Sequence, residues 1–132
     1  MASIHKEVAL DARADDVWDA IRDFGAVHRR VAPGFLLDAK LDGDARIVTF
    51  SNGTVAREVL VSCGDARKRL VYAVVSERVK QHSASIQIIP DGERSRMIWI
   101  TDVLPNEIAP YIDAQMELGA AAIQKTFART AA

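Results

Sequence analysis

The side chains able to carry chemistry are few, and the clearest is a histidine in the stretch Gln81–Ile89. Ala84, Ile86 and Ile88 fall on one side of a two-residue period and Gln81, Ser83, Ser85 and Gln87 on the other, which puts His82 on the apolar side. An imidazole there is either a core side chain held by one backbone or water partner, or a group that touches a bound molecule and exchanges a proton with it. In Arg67–Ser76 the alternation offers Leu70, Tyr72 and Val74 as one face and Val71, Ala73 and Val75 as the other, both apolar. In Thr54–Cys63 the faces are Val55, Arg57, Val59, Val61 and Cys63 against Thr54, Ala56, Glu58, Leu60 and Ser62, and hydrophobicity favours burying the first. If Glu58 is instead inside, its charge must be paired or its pKa shifted, with His82, Tyr72 or a ligand's polar group as partners. If outside, it makes a surface pair with an arginine of a neighbouring strand, worth under about 1 kcal/mol.

Other chemistries lack their residues. The 3 histidines (His5, His28, His82) and the 1 cysteine, Cys63, lie on separate segments without ligand spacing, so no metal site and no cofactor are expected. No Gly-x-Ser-x-Gly elbow marks a nucleophile, and no glycine-rich turn opens a helix to cradle phosphate. Arg67-Lys68-Arg69, Arg94 and Arg96 sit beside turns and read as a solvated rim.

The elements that must position these groups are organised around the last stretch, Asn106 to Arg129. Ile108, Tyr111, Ile112, Met116, Gly119, Ala122, Ile123 and Phe127 recur at steps of three and four, which predicts one amphipathic helix. At about 1.5 Å per residue it would span roughly 36 Å. Asn106 is its expected N-cap, with Glu107 beside the positive end of the helix dipole. Gln115 interrupts the stripe, and Gly119-Ala120-Ala121-Ala122 presents small side chains where a core helix usually presents Leu, a pattern that suits the wall of a cavity.

Before that helix, Ser3–Leu10 alternates as a first strand, with Ile4, Val8 and Leu10 inward and Lys6 at the edge of that face. A helix from Ala14 carries Val17, Trp18 and Ile21 inward, and a second short helix or turn, 26–31, ends at Pro33-Gly34. The period then becomes two through Phe35–Leu41, Arg46–Phe50, Thr54–Cys63, Arg67–Ser76, Gln81–Ile89 and Arg94–Val103. Turn sequences separate most of these segments, Asn52-Gly53 being the strongest hairpin signal. The reading is an α+β protein in which a seven-stranded antiparallel sheet meets a long C-terminal helix, with two short helices after the first strand.

At 132 residues the chain is expected to be one domain, 1–132. Its net charge of −1 gives no electrostatic basis for binding nucleic acid. The single cysteine suits a reducing cytoplasm, the charged N-terminus lacks the apolar block of a signal peptide, and no window is apolar enough for membrane insertion.

The order of elements resembles the helix-grip fold of the START / Bet v 1-like (SRPBCC) superfamily, in particular its polyketide cyclase/dehydrase branch. The resemblance is carried by Val17-Trp18 with Phe24, by Gly53 through Glu58-Val59-Leu60 with Asp65 and Leu70-Val71-Tyr72, and by Trp99 with Leu104-Pro105. The chain departs from the family pattern at His28-Arg29-Arg30-Val31 and at Asp44-Ala45-Arg46. The resemblance implies a sheet wrapped around the C-terminal helix, with a cavity between them for a small apolar molecule. It implies that Glu58 faces this cavity, that Trp99, which shares a face with Met97 and Thr101, borders it, and that Phe35 and Phe24 stand at its mouth.

Two functions follow from these residues together with the resemblance. One is a carrier or sensor of a small hydrophobic or aromatic ligand, contacted by Glu58, Tyr72, His82, Trp99, Gln115, Phe35 and Gly119. The other is a cyclase/aromatase-type enzyme in which His82 and Glu58 are acid and base and Tyr72 donates to a developing oxyanion. The second apolar face of Arg67–Ser76, with Val55 or Val59 and Val61, suits an interface, such as a homodimer through the outer sheet face.

Overall fold

In the computed structural model, which describes residues 2–128, the two-residue periods become seven strands, β1 Ala2–Leu10, β2 Leu36–Asp42, β3 Ala45–Phe50, β4 Val55–Gly64, β5 Arg69–Val75, β6 Gln81–Asp91 and β7 Arg94–Leu104. They form one antiparallel sheet in the order β1-β7-β6-β5-β4-β3-β2. Helices α1 (Ala14–Arg22) and α2 (Val27–Arg30), joined through a 3-10 turn at Phe24–Ala26, lie between β1 and β2 in the chain. The long helix α3 (Ala109–Thr126) follows β7. This is the helix-grip fold: α3 packs on β1, α1 packs on β6 and β7, and α2 packs on β2.

The alternation holds where it was sharpest. Ala84, Ile86 and Ile88 of β6, Met97, Trp99 and Thr101 of β7, and Ile4, Val8 and Leu10 of β1 are buried. Lys6, midway along β1, reaches over the sheet edge to Asp113 and Glu117 and fastens α3 there. Val17, Trp18 and Ile21 are buried under α1, and the Trp18 indole donates to Asp65 at 2.9 Å, tying α1 to the β4–β5 turn.

In β4 the structure takes the face that the resemblance implied over the one that hydrophobicity favoured, and one expectation about the last helix changes. In β4 the face of Ala56, Glu58 and Leu60 turns inward and the more hydrophobic face of Val55, Arg57 and Val59 turns outward, because Arg46 on β3 stands opposite Glu58 and neutralises it. A bulge at Val61 then shifts the alternation, so that Ser62 pairs with outward Val71 and Cys63 with inward Leu70. The C-terminal helix also starts later than expected. Asn106–Ile108 is a 3-10 turn, Asn106 makes no side-chain cap, and the 18-residue α3 begins at Ala109. Tyr111 is 52% exposed at the start of α3, and Ala120 joins Met116, Gly119 and Ile123 as the buried stripe. Arg129, the expected helix end, lies outside the described residues.

Candidate functional site

Between α3 and the strands β3 to β7 lies a cavity of about 480 Å³. Its wall is mostly apolar, from Val27, Val31, Ala32 and Leu36 at one side to Ile86, Met116 and Ile123 at the other. Its mouth lies among Val55, Ser76, Arg78, Val79, Glu107 and Tyr111. There the Asn52 side chain of the β3–β4 turn donates to the Tyr111 hydroxyl at 3.2 Å, linking the turn to α3.

The cavity brings together all seven residues that the sequence reading singled out: Phe35, Glu58, Tyr72, His82, Trp99, Gln115 and Gly119 line it. Strand alternation aims most of them, since Glu58, Tyr72, His82 and Trp99 each occupy an inward position of successive strands. Phe35 comes from the segment entering β2 and meets Phe50 edge-on at 5.4 Å. Gly119 has a steric role, because a Cβ there would come within 3.1 Å of the Trp99 ring and 3.2 Å of Phe35. The small residue thus gives the helix backbone close contact with both rings. Phe24, expected at the mouth, is instead buried under the Arg46 guanidinium.

Sequence reasoning missed Arg46. Its Nε donates to Glu58 Oε1 at 2.8 Å and its Nη1 donates to the Phe24 carbonyl at 3.2 Å, with the two charged side chains only 6% and 9% exposed. The guanidinium sits 4.0 Å from the Phe24 ring centre and 5.4 Å from that of Tyr72, so aromatic faces supply further cation stabilisation. Glu58 therefore has Arg46 as its partner, in place of the expected His82 or Tyr72. Its face in β4 was the available signal, since an inward carboxylate requires a cation on an adjoining strand.

Protonation follows from burial. Desolvation pushes the Tyr72 phenol far above its ordinary value, and the Glu58 charge adds to this, while Arg46 and Trp99 act weakly the other way. Tyr72 is thus a proton donor throughout the neutral range. The Trp99 indole N–H is buried and has no hydrogen-bond partner among the described residues. Desolvation also lowers the His82 pKa from its ordinary value near 6.5, which keeps the imidazole neutral at pH 7. Among the described residues no cluster of three or more His, Cys, Asp or Glu could hold a metal ion, and no helix is long and apolar enough to cross a membrane.

A sheet gripping a terminal helix over such a cavity defines the START / Bet v 1-like superfamily. Within it, the chain belongs to the family described as polyketide cyclase / dehydrase and lipid transport, whose model matches residues 1–132. No curated protein matches the sequence at a significant level. Among solved structures it is similar to an uncharacterised protein from Bacillus thuringiensis (18% identity, TM-score 0.85, 97% of this chain and 100% of that one). It is also similar to a START superfamily protein from Mycobacterium smegmatis (13% identity, TM-score 0.76, 95% and 96%). A further likeness is to norcoclaurine synthase from Thalictrum flavum in complex with dopamine and hydroxybenzaldehyde (19% identity, TM-score 0.68, 94% and 84%). At these identities the likeness is one of fold.

Proposed function

We propose that the protein is a carrier or sensor that encloses one small hydrophobic or aromatic molecule between the sheet and α3. The observation that carries this reading is the cavity of about 480 Å³, apolar over most of its wall and furnished with a few convergent polar groups, Tyr72, Trp99, His82 and Gln115. Ligand sites commonly have about 300–1,000 Å³ and this division between apolar wall and sparse polar contacts. Titration with the neutral fluorophore N-phenyl-1-naphthylamine tests it. One saturable site per chain is expected, weakened at least about tenfold by Val74→Trp, which fills the space beside Tyr72 and His82. Absence of saturation, or binding indifferent to Val74→Trp, removes the reading.

One observation favours a cyclase/aromatase-type alternative: a neutral imidazole and a protonated phenol line the same cavity. In that reading His82 takes a proton from the bound chain, Tyr72 donates to the oxygen that gains charge, and Glu58 holds Arg46 in place. His82→Ala would then lower turnover of a substrate by about 10²-fold or more, and unchanged turnover would remove the alternative. The outer sheet face supports self-association less well. Val55, Val61 and Val75 are exposed there, but Arg57 stands directly opposite Val75 and interrupts the patch. Light scattering that shows a concentration-independent monomer would exclude a dimer through this face.

A further inference from the structure

The charged side chains around the cavity restrict what charge a guest can bring into it. Four of them line it. Arg46 and Glu58 compensate each other inside at 2.8 Å, and Arg78 and Glu107, one of each sign, stand exposed at the mouth. The interior therefore offers no unmatched cation. The guanidinium is further occupied by the Phe24 carbonyl and by the faces of Phe24 and Tyr72. What the deep end does offer is hydrogen-bond donors. The Trp99 N–H is buried without a hydrogen-bond partner among the described residues, and the Tyr72 hydroxyl, which lines the cavity, donates to none of them.

Resting on the binding reading above, we propose that the guest is an uncharged ring compound with an acceptor oxygen, a ketone or phenol, at its inner end, and that carboxylate-headed amphiphiles are selected against. A carboxylate at that depth would lose its hydration and meet the Glu58 charge with Arg46 already engaged, whereas a carbonyl oxygen loses little water and gains the Tyr72 proton. A fatty acid entering tail first could keep its head near Arg78. It would then lay hydrocarbon against the Tyr72 hydroxyl and the Trp99 N–H and leave both without an acceptor.

The test is displacement of bound N-phenyl-1-naphthylamine by two molecules of nearly equal shape, 2-acetylnaphthalene and 2-naphthoate, at pH 7.5. The ketone is expected to displace the fluorophore at a concentration at least about tenfold lower than the carboxylate. Tyr72→Phe should weaken the ketone about tenfold and leave naphthoate unchanged. Glu58→Gln, which frees Arg46, should improve naphthoate about tenfold, read by displacement or by a rise in Tm on adding naphthoate. If Glu58→Gln does not fold, wild type and Tyr72→Phe decide alone. Naphthoate displacing as well as the ketone on wild type overturns the charge selection while leaving the binding reading intact. A fluorophore that never binds overturns both.

Discussion

The inner face of the sheet has two ends that obey the same strand alternation and do opposite things. At one end Leu10, Val17, Ile88 and Met97 interlock under α1 with 2% exposure or less. At the other, Val74, His82, Phe50 and Ala56 face a hollow. Strand β6 runs through both, from His82 at the hollow to Ile88 in the packed end. The difference comes from what covers the sheet. Large side chains fill the space below α1, whereas α3 brings Gly119 against the rings of Trp99 and Phe35 and leaves room one turn earlier, beside Gln115 and Met116. One interior thus has a packed end and a hollow end, and the buried Arg46–Glu58 ion pair lies at the hollow one.

Substitutions can break this contrast. The largest effect is expected for Arg46→Met alone, which strands the Glu58 carboxylate inside and should cost about 3–5 kcal/mol in denaturant unfolding. Arg46→Met combined with Glu58→Leu should recover most of that loss, because two apolar groups need no partner. Equal loss in the double variant would mean that the pair contributes through something other than charge compensation. Next comes a matched comparison: Met97→Ala at the packed end should cost about 2–5 kcal/mol, and Val74→Ala at the hollow end under about 1 kcal/mol, since its side chain already lacks neighbours on one side. Similar costs at both positions would show that the hollow is filled.

The smallest expected effect is a pH dependence. Burial lowers the folded-state pKa of His82, so below about pH 6.5 the unfolded chain binds a proton that the folded chain resists. The stabilising contribution of the neutral imidazole is complete above that pH and is lost as pH falls toward the depressed value. His82→Gln should flatten the slope of stability against pH in this window, and a slope that survives the substitution belongs to other groups.

Much of this arrangement could be read from residue patterns. Strong alternation in 81–89 placed His82 on the inner face, and spacing on the last helix pointed to Gly119 and Gln115. Where both faces of a strand were apolar or mixed, pattern alone could not choose, and β4 shows why. Asn52-Gly53 signals a hairpin without fixing its register, and a two-residue turn there would set Arg46 opposite Val59. The chain makes a three-residue loop, with Phe50 bonded to Thr54, Asn52 accepting from the Thr54 amide and Gly53 at φ 89°. One residue of loop length therefore decides whether Glu58 meets its cation. The helix start was misplaced for a similar reason: Asn106 has the right chemistry for a cap, but the chain enters α3 through a 3-10 turn that uses a backbone bond from Ile108 to Pro105.

The most direct measurement is to record nuclear Overhauser contacts between bound N-phenyl-1-naphthylamine and the methyl groups of the protein. Contacts at Val74, Ile86, Met116 and Ile123, with none at Leu10, Ile88 or Met97, are the predicted result. Contacts confined to the outer-face residues Val59, Val71 and Val75 would contradict a guest held between the sheet and α3.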